Sequence, residues 1–166
     1  MYSIEKVTEK TRKFVDALIE KSWAGPFCIS LGVLYDTREK DGFVAIDSNE
    51  VIGYVLYDIV GDSCEINVLE SLQHGKGIGT ALINTVKNVA RKNDCNRLWL
   101  TTTNDNTHAI RFYQRHGFSL RAVHINAMEH SRKLKPQMPL IGFDDIPINH
   151  EFEFEMIMVE ANNRGD

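Results

Sequence analysis

No apolar run in this chain is long enough to cross a bilayer, and nothing near its N-terminus follows the basic-then-apolar pattern of an export signal. It also lacks an excess of positive charge. Its 19 Lys and Arg stand against 23 Asp and Glu, a formal net charge of -4, which speaks against a nucleic-acid partner. Cysteine is scarce: Cys28, Cys64 and Cys95 are odd in number and widely spaced, so they make neither a disulfide framework nor a metal-binding pair. The six histidines show no ligand spacing with them, and no structural metal is expected. Together these absences point to a reducing cytoplasm and no membrane contact. No internal repeat, low-complexity tract or linker divides the 166 residues, so residues 1–166 are expected to form one domain with a real core.

What the chain does have is concentrated between Leu69 and Asn93. There a strand ends, the turn His74-Gly75-Lys76-Gly77-Ile78-Gly79-Thr80 follows, and a long helix begins. Ile78, Leu82, Val86 and Val89 recur at three- and four-residue steps and make one apolar stripe. The first amides of a helix have no internal partner and sit at the positive end of its dipole. A turn stripped of Cβ atoms at that point lets an anion such as a diphosphate approach main-chain N–H groups. A Walker loop is excluded because Lys76 is followed by Gly77, and a dinucleotide fingerprint because Thr80 stands where its third glycine belongs. A turn that merely caps the helix is the plainer alternative.

Around this centre, Val7 to Lys21 reads as an amphipathic helix, while Trp23 through Leu34 is apolar and turn-rich without a clear element. Phe43 to Ile46, Val51 to Val60 and Cys64 to Leu69 read as an antiparallel meander, with Asp47-Ser48-Asn49-Glu50 as its first hairpin loop. Arg97 to Thr102 is expected as a strand after the long helix. Asn104-Asp105-Asn106 offers side-chain oxygens at the start of a further helix carrying Ala109, Phe112 and Tyr113 on one face, and Gly117 stands where that helix should end. Phe118 to Ile125 reads as a strand and Arg132 through Pro147 as a basic, proline-containing loop. In the final strand, Phe152 to Val159, Glu151, Glu153 and Glu155 alternate with Phe152, Phe154 and Met156. The acidic residues could attract a cationic amine; the favoured reading is the solvated face of an edge strand.

The glycine turn resembles the pyrophosphate loop of the GNAT superfamily, the Gcn5-related N-acetyltransferases, whose motif is Arg/Gln-x-x-Gly-x-Gly/Ala. In that register His74 takes the Arg/Gln position, and Gly77 and Gly79 are the two glycines. His74 is a departure, since histidine brings fewer donors and a charge that depends on pH. Asn106-x-x-Ala109-x-x-Phe112-Tyr113-x-Arg115-x-Gly117-Phe118 resembles the later motif of the same family, and the resemblance runs from about Gly42 to the chain's end. The segments Ala127-Met128-Glu129, Arg132 to Pro136 and Pro139 to Gly142 are similar to a bacterial GNAT subgroup of undefined substrate.

The resemblance implies an α/β fold, a mixed and mostly antiparallel sheet with splayed central strands flanked by helices. It implies acetyl-CoA as cosubstrate and transfer of its acetyl group directly to a primary amine, a small amine or amino acid in preference to a protein amine. In the family the strand Cys64 to Leu69 parts from Arg97 to Thr102, and pantetheine enters the gap as a further strand would. CoA contacts are thereby expected at Val68, Leu69 and Glu70, at His74, Gly75, Lys76, Gly77, Ile78, Gly79 and Thr80, and at Asn106, Ala109, Phe112 and Tyr113. Tyr113 matches the family's general acid, with a core tyrosine as the alternative. Glu65 is favoured over Glu70 as general base, with a water chain as the other candidate. Cys64 is expected to be packed rather than reactive. A non-catalytic acetyl-CoA-binding sensor or scaffold is the rival reading, supported by His74 alone. A homodimer is compatible with all of this.

Overall fold

Thr8 starts the first helix. Its hydroxyl accepts from the Thr11 amide at 3.4 Å, and the Thr11 hydroxyl accepts from the Thr8 amide at 2.8 Å, a reciprocal cap that satisfies two otherwise orphaned donors. The helix, α1 (Glu9–Trp23), ends where Ala24 enters the left-handed region at φ 53°. It follows a short strand, β1 (Ser3–Lys6), and buries Val15 and Ile19 against one face of the sheet. The structure is a computed structural model and describes residues 1–158.

Trp23 through Leu34, unassigned from the sequence, contains a small antiparallel hairpin, β2 (Phe27–Ser30) and β3 (Val33–Asp36). Leu31 and Gly32 make its two-residue turn with φ of 48° and 75°. Positive φ at both positions suits the twist of a hairpin, and only the second is a glycine. The expected meander follows as β4 (Asp41–Asp47), β5 (Glu50–Val60) and β6 (Ser63–Ser71). Ser48 and Asn49, at φ 50° and 66°, close its first hairpin.

Helix α2 (Ile78–Lys92) comes next and buries Ile78, Leu82, Ile83, Val86 and Ala90. Val89, expected on that stripe, is only partly buried. Full burial of each large side chain stabilises by roughly 1.5–3 kcal/mol, so this stripe is what holds the helix to the sheet. Strand β7 (Arg97–Thr103), helix α3 (Thr107–Arg115) and strand β8 (Ser119–His124) complete the second half, before α4 (Ala127–Leu134) and β9 (Glu151–Ile157).

Two expectations are corrected here. Arg132 to Leu134 lie in the last turn of α4, not in a loop; Met128 and Ser131 are its buried residues, and the basic side chains that suggested a loop follow them. Strand β9 is not at the edge. The sheet order is β1-β4-β5-β6-β7-β9-β8, so β9 has neighbours on both sides, and Glu151 and Glu153 are 3% and 7% exposed. The alternation was read correctly but acid does not mean solvent here, because side chains and a backbone amide on the same face answer the charges. Val159, expected at the end of that strand, lies outside the described residues.

All neighbouring strands of the large sheet are antiparallel except β6 and β7. That parallel pair matches only Ser63 with Arg97, Cys64 with Leu98 and Glu65 with Trp99, and beyond it the strands part. Asn96 secures the closed end: its amide donates to Asp62 O at 2.7 Å and its side chain to the Asp62 carboxylate at 2.8 Å. Near the point of parting, Leu56 pairs with Val68 but Tyr57 with Ile66, so Asn67 bulges out of the ladder. The bulge changes which face the side chains meet. Cys64 and Ile66 join the core under α2, whereas Val68 joins the core under α1.

Candidate active site

The turn before α2 is built from backbone. Gly75 and Gly77 sit at φ 74° and 73°, a region closed to most side chains. Gly77 is the N-cap of α2 and offers no side-chain oxygen, so no side chain caps the helix's first amides. Above them opens a cavity of about 560 Å³, floored by His74, Gly77, Gly79 and Thr80 and walled by residues of α3. Of the residues expected to bind the cosubstrate, His74, Gly75, Gly77, Ile78, Gly79, Thr80 and Phe112 line it. Lys76 is exposed on the turn but is not part of the lining.

The cavity's guanidinium groups come from α3: Arg111 and Arg115, one helical turn apart, both line it, and no carboxylate does. Sequence reasoning passed over them because it looked for the cation inside the turn. The i,i+4 spacing on the helix that carries Phe112 was the available signal. His74 lies edge-on to His108, centroids 6.1 Å apart, on the same rim. His116 joins α3 to α2. Its Nδ1 faces the Phe112 carbonyl at 2.7 Å and so carries the proton, while Nε2 lies 3.0 Å from the Thr80 hydroxyl.

Val68, Leu69 and Glu70 lie on β6 past the last pair with β7, where their strand has no partner on that side. Tyr113 is buried on α3, edge-on to Phe112 at 5.4 Å and to Phe118 at 5.7 Å. Its hydroxyl has no hydrogen-bond partner among the described residues, and burial pushes its pKa up, so it holds its proton at neutral pH. Asn106 accepts from the Ala109 amide at 3.1 Å and caps α3; Ala109 packs partly buried against the core.

The other face of the same gap is acidic. Arg97 stacks over the Trp99 ring at 4.9 Å, bonds Glu153 and reaches Glu155 at 2.6 Å. His124 adds a contact to Glu153 at 2.9 Å. Burial opposes ionisation of Glu153, but Arg97 and His124 outweigh it and hold that carboxyl below its usual range. Glu70 is committed elsewhere, accepting from Tyr54 at 2.6 Å and from Ser22 at 3.0 Å. Glu65 has no such partner. Burial raises its pKa, with the Ser30 hydroxyl and Lys40 countering in part.

Glu151, which sequence reading set on a solvated face, is likewise raised by burial and accepts from the Leu31 amide at 2.9 Å. The β2–β3 hairpin therefore lies across the gap. Besides Leu31, its Tyr35 donates to Asn67 O at 3.1 Å, and Lys135 of the segment after α4 ties it down through the Trp23 and Phe27 carbonyls. Cys64 is fully buried, its thiol pushed up to about 12 by burial.

Among the described residues no cluster of three or more His, Cys, Asp or Glu could hold a metal ion, and no helix is long and apolar enough to cross a membrane. The family model described as Acetyltransferase (GNAT) family matches residues 9–118. The chain is 43% identical to protein YdhI of Bacillus subtilis (strain 168) over 140 residues, 83% of this chain and 87% of that protein. A Bacillus subtilis acetyltransferase solved in complex with CoA superposes with a TM-score of 0.70 at 15% identity, covering 96% of this chain and all (100%) of that one. An acetyl-CoA-bound GNAT family acetyltransferase from Elizabethkingia anophelis superposes at 0.68 and 17% identity, covering 95% and 98%. At such identities the two structures establish the fold and nothing finer.

Proposed function

This chain belongs to the acetyltransferase (GNAT) family, and from that premise we propose that it transfers the acetyl group of acetyl-CoA directly to a primary amine, a small amine in preference to a protein. The observation that carries the reading is the parting of β6 from β7 after Glu65 and Trp99, beside a cavity with uncapped helix amides and two arginines. In two solved structures of this fold the ligand is CoA or acetyl-CoA, and the cavity here has the chemistry for a diphosphate.

In this reading the amides of Ile78, Gly79 and Thr80 hold the pyrophosphate, with Arg111 and Arg115 alongside. Pantetheine runs along Val68, Leu69 and Glu70, pairing with the free edge of β6. An ammonium cannot attack a thioester, so its proton must leave first. Glu65, with a carboxyl held above its usual range and no bonded cation, is suited to take it. The departing thiolate then needs a proton, and Tyr113, protonated and without a competing partner, supplies it, while the second proton that the attacking nitrogen sheds as the amide forms restores the Tyr113 hydroxyl. A relay through Cys64 has no support, because a fully buried thiol pushed up to about 12 yields little thiolate. We place this chemistry in one domain and in the cytoplasm, where the free cysteines Cys28, Cys64 and Cys95 would stay reduced.

The test is thiol release from acetyl-CoA in the presence of a panel of primary amines, with calorimetric titration of acetyl-CoA in parallel. Amine-stimulated release is expected. Tight binding without release under any amine would favour the sensor reading instead.

A further inference from the structure

Asn67 of β6 has no cross-strand partner among the described residues. At the bulge, Leu56 pairs with Val68 and Tyr57 with Ile66, so β5 sets no residue opposite Asn67. On its other side β7 has already parted, since Glu65 and Trp99 make the last parallel pair. Asn67 therefore stands where the gap opens, two residues beyond Glu65. Glu65 alternates with Cys64 and Ile66, which lie under α2, so it turns to the hairpin's side of the sheet.

The backbone of Asn67 is held in place. Its carbonyl accepts from the Tyr35 hydroxyl at 3.1 Å, which ties the bulge to the hairpin lying across the gap. Tyr35 packs against the core under α1, to which Val68 also belongs. The side chain is a different matter. Asn67 Oδ1 is buried and has no hydrogen-bond partner among the described residues. A buried amide oxygen without a donor costs the free protein stability, and a donor brought by a ligand recovers it. Gln73 Oε1 is in the same state, and Gln73 lines the cavity on the other face.

Counting protons through amide formation shows what such an acceptor selects. A primary ammonium has three N–H bonds. One breaks when Glu65 takes its proton, leaving the free amine. The nitrogen then bonds the acetyl carbon, the carbon–sulfur bond breaks, and Tyr113 protonates the sulfur. A second N–H breaks as the amide forms, and its proton restores the Tyr113 hydroxyl. The third N–H survives from substrate to product. One acceptor can hold it throughout, provided that the acceptor does not itself take up a proton. An amide oxygen qualifies. A secondary ammonium starts with two N–H bonds, and neither remains in its amide.

Resting on the reading of the protein as an amine acetyltransferase, we infer that Asn67 is a specificity-determining residue. Its Oδ1 accepts the surviving N–H of the acceptor nitrogen, turns the lone pair toward the thioester, and selects primary over secondary amines.

Asn67→Leu removes the acceptor, keeps most of the bulk and leaves the backbone bond from Tyr35 in place; Asn67→Ala is the second variant should leucine fit poorly. Without ligand, the thermal midpoint of Asn67→Leu is expected to match or exceed that of the wild type, because an unpaired buried oxygen is removed. A lower midpoint in both variants would show that the oxygen is satisfied in the free protein, and would overturn the inference. Titrated acetyl-CoA should bind with wild-type affinity; weaker binding would assign Oδ1 to the cosubstrate and overturn it too. With a primary amine that the panel identifies, Asn67→Leu should lose about tenfold in kcat/KM. With the N-methyl derivative of the same amine it should keep the wild-type value, read from single turnovers with excess enzyme where the reaction is slow. An equal loss with both amines would mark a structural role, and no loss with either would leave Asn67 outside the site; each fails the inference alone. If the wild type acetylates no amine, the reading of function fails and the selection by Asn67 with it.

Discussion

The two faces of the sheet at the β6–β7 gap are assembled by opposite means. On the α2 side, the cavity depends on a seven-residue turn and one face of α3, and its anion-binding groups are backbone amides and guanidinium groups, with His74, His108 and His116 beside them. On the α1 side, Ser30, Glu65, Thr101 and Glu151 arrive from four separate strands, and two of the four are carboxyls held above their usual range by burial. One face is built from two short segments and offers donors; the other gathers its carboxyls from separate strands. Binding a fixed polyanion suits the first, and moving a proton suits the second.

That division can be broken by experiment. The largest effect is expected from Tyr113→Phe, which removes one unpartnered hydroxyl and leaves the ring packed against Phe112 and Phe118. Turnover should fall by roughly 10²-fold, with kcat and kcat/KM dropping together and acetyl-CoA affinity unchanged. Wild-type turnover with chemistry rate-limiting would return Tyr113 to a purely structural role, and so would loss of cofactor binding.

Gly77→Val should weaken acetyl-CoA binding by about tenfold, or about 1.4 kcal/mol. The φ of 73° at Gly77 strains any β-branched residue, and Gly79→Val would set a Cβ 3.3 Å from the Phe112 ring. Calorimetric titration of a folded variant checks this, and unchanged affinity would deny the turn its role. Glu65→Gln should do the reverse: affinity for acetyl-CoA stays, while kcat/KM loses the acid limb that rises as Glu65 ionises, above the ordinary glutamate range. A persisting limb would move the base elsewhere.

The smallest effect is on stability. The folded state holds a proton on Glu151 more tightly than the unfolded chain does, so that carboxyl's contribution to stability falls as pH rises from the ordinary 4.5 through its raised folded value. Glu153, held low, has the opposite sign and loses stability as pH falls. Glu151→Gln should keep the contact with the Leu31 amide and raise the thermal midpoint slightly at pH 7, with no gain near pH 4. Thermal melts across that range check it; a lower midpoint at pH 7 would mean the ionised carboxylate is better satisfied than its burial suggests.

The sequence by itself carried the meander, α2, α3 and the glycine turn, because hydrophobic period, capping and glycine placement act over a few residues. The same locality singled out the turn residues, while Tyr113 and Asn106 became candidates through the resemblance of their spacing to the GNAT motif. Arg111 and Arg115 were open to the same reading, since they stand on the helix that carries Phe112. Only the tertiary structure decided that β9 lies inside the sheet, that the Phe27–Asp36 hairpin lies across the gap, and that burial raises the carboxyls of Glu65 and Glu151 above their usual range. Alternation along Glu151 to Met156 states which residues share a face but not what covers it. The pKa of a carboxyl depends on the dielectric and charges that distant segments bring to it. Burial, unlike period, is a property of the packed chain.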